Sequence, residues 1–177
     1  MTGITLLGMG NVLMGDDGFG PYVIALLRAR YEFGANLEVL DIGTPGLDIT
    51  PYLARPGRSV ILIDTVRSDG PAGTLRRYTG PQIMGGRMQP RLSPHDPALA
   101  EALTMLEIEG TAPAEFLLLG AVPEKCAMGT GLSSAMQSAV EPMIASVLSA
   151  LANRGVEIRE RETPGAPDLW WEAPLLV

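Results

Sequence analysis

Cysteine, histidine and aromatic residues are scarce in this sequence, and the scarcity excludes several classes of protein. The one cysteine, Cys126, has no partner for an internal disulfide, which favours a reducing compartment such as the cytoplasm. No apolar run reaches the ~18 residues that a transmembrane helix requires, so we expect no membrane span. The opening Met1-Thr2-Gly3 carries no basic segment, and we therefore expect no signal peptide.

Basic side chains are also few: 13 Lys and Arg face 20 Asp and Glu, which gives a formal charge of −7 and a pI near 4.7. Such an acidic surface repels phosphate groups, so we expect neither nucleic acid nor an anionic membrane as a partner. The 177 residues suffice for about one domain. We predict a single domain over 1–162 and a proline-rich tail over 163–177 that holds Trp170 and Trp171. The tail is expected to be a docked or frayed terminus, and the alternative is that it covers a subunit or substrate surface.

Short apolar runs alternate with segments of helical periodicity along the chain. The runs predict strands at 4–7, 37–41, 59–63, 73–79 (an edge strand) and 115–119. The periodic segments predict helices that start near Phe19, at 47–55, at Asp96-Pro97 and over 133–153. This alternation predicts an α/β fold, a three-layer α/β/α sandwich with a mainly parallel twisted sheet.

Four polar residues follow predicted strands or precede predicted helices. Asp16 and Asp17 lie between the first strand and the first helix, Asp64 ends the third strand, and His95 precedes a helix start. Ligands of parallel sheets bind beyond the carboxyl ends of the strands, where these residues are expected. Carboxylates and an imidazole suit a divalent ion such as Zn²⁺, Ni²⁺ or Mn²⁺, and would leave coordination positions open.

Simpler explanations exist for each of these residues, and other motifs are incomplete. Either aspartate of the pair can be a helix N-cap, Asp64 can close a turn, and a lone histidine often decorates a surface. A nucleotide site at Gly8–Gly10 lacks the third glycine of the dinucleotide fingerprint, and the acidic pair beside it repels phosphate. A cysteine protease built on Cys126 has no residue to orient its histidine.

Taken in order, several blocks of the sequence resemble the maturation endopeptidases of nickel–iron hydrogenases. The first block is LGMGNVLMGDDGFG at 7–20, and the resemblance extends over roughly 4–155. The later blocks are DIGTPG at 41–46, ILID at 61–64, SPH at 93–95, LGAVPE at 119–124, GLS at 131–133 and VEP at 140–142. The metal-binding positions of the family fall here on Asp17, Asp64 and His95, and Asp16 matches a neighbouring acidic position that matters for cleavage.

The resemblance implies an endopeptidase that removes a C-terminal extension from the hydrogenase large-subunit precursor after nickel insertion. The nickel is expected to be carried by the substrate and recognised by Asp17, Asp64 and His95, although another divalent metal can occupy the site in purified protein. Hydrolysis is expected to be assisted by the metal or by Asp16 as general base, and both versions stay open. The alternative function is a non-catalytic factor on the same fold that senses nickel or binds the precursor.

Overall fold

The computed structural model describes residues 3–45, 48–85 and 96–172, and for residues 96–98 it describes the backbone alone. The strands are β1 (Ile4–Met9), β2 (Tyr31–Phe33), β3 (Leu37–Gly43), β4 (Ser59–Thr65), β5 (Leu75–Thr79), β6 (Glu115–Ala121) and β7 (Ile158–Glu160). The α-helices are α1 (Phe19–Arg30), α2 (Thr50–Leu53), α3 (Gly80–Met84), α4 (Asp96–Glu109) and α5 (Ser134–Ala152). Short 3-10 turns span Gly15–Gly18 and Trp170–Glu172.

The central sheet has five strands in the order β3-β1-β4-β6-β5. The first four are parallel to one another, and β5 pairs antiparallel with β6 at one edge. Every residue of β1 is buried, and so is every residue of β4 after Ser59, as expected of strands covered on both faces. The predicted mainly parallel sheet and the edge position of 73–79 are confirmed.

Each face of the sheet carries its own apolar cluster, because successive side chains of a strand point to opposite faces. On one face, Leu6 and Ile61 belong to a cluster with Phe19 of α1 and Met136 of α5. On the other face, Leu7 and Leu62 belong to a cluster that includes the buried stripe of α4 and Leu53 of α2. The helices thus form two outer layers, and the predicted α/β/α sandwich is confirmed.

The helix α5 is the longest element and anchors one of the outer layers. Its N-cap is Ser133, whose Oγ accepts a hydrogen bond from the Met136 N–H at 3.3 Å. By length and hydropathy it is the one helix of the described ranges that could cross a membrane. Eight of its residues are nevertheless buried in the protein core, Met136 and Leu151 among them, so it serves as a core helix here.

Three features of the described fold depart from the sequence prediction. The helix predicted at 47–55 is only the single turn of α2, and the short helix α3 was not predicted. A second sheet pairs β2 with β7 antiparallel, far apart along the chain. Its strands have three residues each, and a run that short carries no measurable periodicity.

The part of the tail that the structure describes returns along α1. The Arg161 N–H donates to the Arg30 carbonyl at 2.8 Å, and the Gly165 N–H donates to the Ala29 carbonyl at 3.0 Å. Trp171 is then buried to 8% exposure. Residues 161–172 are therefore docked, which is one of the two states expected for the tail.

Candidate functional site

The loop between β1 and α1 begins with backbone contacts that only glycine permits. Gly10 has φ of 144°, and a Cβ atom there would lie 1.8 Å from the carbonyl oxygen of Asp17. Its N–H donates to the Gly43 carbonyl at 2.9 Å, and the Asn11 N–H donates to Asp17 Oδ2 at 3.0 Å. Because the chain itself uses these N–H groups, they are not arranged to bind a phosphate, and the nucleotide alternative loses its basis.

Asp17 and Asp64 are brought together at the carboxyl edge of the sheet by Thr65. The Thr65 hydroxyl donates to Asp17 Oδ1 at 3.4 Å, while the N–H of the same residue donates to Asp64 Oδ1 at 2.7 Å. Both carboxylates are buried, at 5% and 3% exposure. Two buried carboxylates that share one neighbouring residue repel each other unless a cation or a proton intervenes, which makes this edge suited to a cation.

Asp16 is also buried, and its carboxylate accepts four hydrogen bonds from the protein. Its Oδ2 accepts hydrogen bonds from the N–H groups of Glu124 and Lys125, at 2.9 and 3.0 Å, and from the Ser133 hydroxyl at 3.0 Å. Its Oδ1 accepts the Ser133 N–H at 2.7 Å. Four donors of the protein thus bind this one carboxylate, three of them at Oδ2. Asp16 thus ties the first loop to the loop after β6 and to the start of α5, whose positive dipole end favours its charge.

Cys126 lies in the loop after β6, close enough to the acidic residues to feel their charge. The residue is exposed, but partial desolvation of its thiol raises the pKa to about 11, and the negative charges of Asp17 and Asp16 act in the same direction. A nucleophilic cysteine needs the thiolate form, which a neighbouring cation or histidine normally stabilises. Here the surroundings favour the protonated thiol at neutral pH, which argues against the cysteine protease alternative.

His95, the third predicted metal ligand, lies outside the described residues. Of the helix that follows it, α4, the second half lies at the amino edge of the sheet, since Leu103 and Glu107 line one cavity with the start of β6. Within the described ranges no three His, Cys, Asp or Glu side chains are grouped to hold a metal ion. The predicted ligand set needs His95 to be complete.

Two polar residues of the site were not singled out from the sequence. Thr65 directly follows Asp64, and only the pairing of β1 with β4 shows that it reaches Asp17. Ser133 carries a recognisable signal, a serine just before a helical segment, which predicts an N-cap. Its second contact, with Asp16, spans 117 positions and has no local signal.

Comparison with known proteins identifies the family. The family model HycI, hydrogenase maturation protease, matches residues 21–150. The hydrogenase 2 maturation protease of Escherichia coli K12 is 30% identical over 159 residues, which cover 90% of this chain and 96% of the relative.

Solved structures agree with this finding. The hydrogenase maturating endopeptidase HybD from E. coli superposes with a TM-score of 0.80 at 30% identity, covering 90% of this chain and 98% of that one. A hydrogenase 2 maturation peptidase from Thaumarchaeota archaeon SCGC_AB-539-E09 is 32% identical with a TM-score of 0.63, covering 84% and 97%. Sequence and fold therefore agree over most of the chain, which belongs to the hydrogenase maturation protease family.

Proposed function

We propose that this protease removes the C-terminal extension of the large-subunit precursor of a nickel–iron hydrogenase once nickel has been inserted. Asp17, Asp64 and His95 recognise the nickel that the precursor carries, and the cleavage takes place beside it. The proposal rests first on one observation, the burial of Asp17 and Asp64 on either side of Thr65 at the carboxyl edge of the sheet. The SPH block at 93–95, which resembles a metal-ligand block of the family, supports His95 as the third ligand.

The donor set explains why the precursor has to carry its metal. Oxygen and imidazole ligands suit a divalent ion of borderline hardness, and three of them leave positions for ligands from a second protein. Such an incomplete site holds a free ion weakly but gains affinity when the ion arrives already bound to the precursor. Discrimination between loaded and empty precursor then follows from the difference in affinity, so an empty precursor stays uncleaved.

The hydrolysis itself needs a water that attacks the scissile carbonyl carbon while the C–N bond breaks and the leaving nitrogen gains a proton. Asp16 is poorly suited to take the proton of that water, because it is buried and four donors of the protein already bind its carboxylate. To act as general base it would have to give up one of these contacts and disrupt the loop it holds. Its arrangement favours the version in which the metal site polarises the water and Asp16 positions the loop.

The test is the intact mass of a cognate precursor after incubation with the protein, with and without nickel loaded. We expect loss of the C-terminal peptide from the loaded precursor only. Asp17→Asn, Asp64→Asn and His95→Ala should each abolish this loss. The matched control is Glu109→Gln, an exposed carboxylate at the end of α4, which should cleave like the wild type.

Two results would contradict the proposal. A loaded, verified precursor that binds the protein yet keeps its full mass would identify a docking factor, and cleavage independent of nickel would remove the metal from recognition. The single exposed cysteine is consistent with action in the cytoplasm, where we place this step.

A further inference from the structure

Large apolar side chains are exposed at few positions of the described chain, and three of them lie on segments that adjoin the loops of the acidic site. Among the described residues these are Leu13, Met105, Ile108, Met128 and Trp170. Met105 and Ile108 belong to α4 and lie apart from the other three. Exposed apolar side chains on neighbouring loops are typical of a surface that binds another protein.

Leu13 and Met128 are held together beside the site by backbone hydrogen bonds. The Gly129 N–H donates to the Leu13 carbonyl at 3.0 Å, and the Gly15 N–H donates to the Gly129 carbonyl at 2.8 Å. The two loops that meet here are the same two that Asp16 connects. The exposed residues Leu13 and Met128, at 52% and 92% exposure, therefore lie on two loops that are hydrogen-bonded to each other and to Asp16.

Trp170 reaches the same region from the tail. It lines a cavity of about 250 Å³ together with Gly10, Asn11 and Leu13. The Asn11 N–H donates to Asp17, so this cavity borders the acidic site directly. A second cavity, of about 400 Å³, continues along α1 and includes Arg28. Trp170, Pro21 and Asp41 line both cavities, which makes them one groove with Trp170 at its middle.

Trp170 is 63% exposed, although the neighbouring part of the tail is packed against the protein. The neighbouring Trp171 is buried, and the two rings meet edge to face with centroids 5.7 Å apart. Glu172 lies by α1, where burial and the charge of this carboxylate raise the pKa of Tyr22. A tryptophan side chain has only two rotatable bonds, so it loses little conformational entropy on binding, which suits Trp170 as an anchor for a partner.

We propose that residues 161–172 form one wall of a substrate groove, and that Trp170 binds an apolar side chain of the precursor segment that adjoins the scissile bond. This inference rests on the proposed function for the identity of the occupant. The occupant is an extended peptide, because the groove starts at the loop that bonds to Asp17 and continues away from it along α1. The tail, which lies beyond the residues matched by the family model, thus contributes substrate affinity to this protease.

The test separates KM from kcat for cleavage of the nickel-loaded precursor. Trp170→Ala should raise KM roughly tenfold and change kcat by less than about twofold, because the ring contacts substrate away from the reacting bond. Trp170→Phe should recover most of the affinity. Ile108→Ala is the matched control, since it removes an equally exposed apolar side chain from α4, and it should leave both constants unchanged.

Folding of the two Trp170 variants is verified by the fluorescence emission of Trp171, which is the one remaining tryptophan once Trp170 is replaced. If the wild type cleaves and Trp170→Ala keeps its KM, the groove is not a substrate subsite and the proposed function survives. If the wild type does not cleave, the proposed function fails, and titration of loaded precursor against both proteins decides the groove separately. Roughly tenfold weaker binding of Trp170→Ala then supports docking by Trp170, and equal binding overturns it.

Discussion

Asp16 and Asp17 are consecutive residues of one chemical type, both buried, and the fold gives them opposite tasks. Asp16 accepts four hydrogen bonds from the loop after β6 and from the N-cap of α5. Asp17 accepts two in the described structure, from Asn11 and Thr65, and lies beside Asp64. The difference shows that burial alone does not identify a functional carboxylate. The two residues differ in how many neutral donors of the protein bind the carboxylate, four at Asp16 and two at Asp17 within the described structure.

The largest expected effect comes from removing the charge of Asp17. Asp17→Asn should reduce cleavage of loaded precursor at least about thirtyfold, because loss of one partner of a buried charged contact costs about 2–5 kcal/mol. The free energy of unfolding should change by less than about 1 kcal/mol, since the amide oxygen still accepts a hydrogen bond. Intact-mass kinetics and urea unfolding measure the two quantities. A variant that is inactive because it is unfolded would remove the contrast with Asp16.

The same substitution at Asp16 should act mainly on stability. Asp16→Asn turns an amide NH₂ toward N–H donors, so we expect the free energy of unfolding to fall by about 3 kcal/mol through unsatisfied buried groups. Urea unfolding beside Asp17→Asn measures the difference under identical conditions. A variant of Asp16 that is as stable as the wild type but inactive would instead identify this carboxylate as the general base.

Thr65 offers an intermediate test, because its hydroxyl is the described side-chain link to Asp17. Thr65→Val keeps the shape of the side chain and removes that hydrogen bond, so cleavage should fall about three- to tenfold. Thr5→Val is the matched control, since Thr5 is equally buried in β1 but contacts Arg58 and Glu38. An equal loss in both variants would mean that the threonines act through the stability of the sheet.

The smallest effect is expected at Cys126. Cys126→Ser should cleave within about twofold of the wild type, because a thiol with its pKa raised to about 11 keeps its proton at neutral pH. Its reaction with iodoacetamide should stay slow at pH 8 and rise only as the pH approaches that value. Rapid alkylation at pH 7 or a tenfold loss of cleavage in the serine variant would show that the thiol takes part in the chemistry.

Much of the sheet and of the candidate site was predictable because it depends on local patterns. The runs in β1, β4 and β6 are too apolar to lie anywhere but inside, and Asp64 follows one of them directly. The pairing of β2 with β7, by contrast, joins two three-residue segments from distant parts of the chain. Its strands exist only because α1 and the end of α5 bring them side by side.

The sequence by itself determined the layered α/β fold, the acidic residues at the strand ends and the resemblance to a family of maturation proteases. Apolar periodicity and the residue types of each motif are local properties, readable without coordinates. Only the tertiary structure decided that Asp16 binds the loop after β6 and the start of α5, and that Thr65 contacts both Asp17 and Asp64. It also decided that the tail brings Trp170 to the loop that holds Asn11. These contacts join residues that are adjacent in space and distant in sequence, and no local pattern encodes which donor reaches which acceptor.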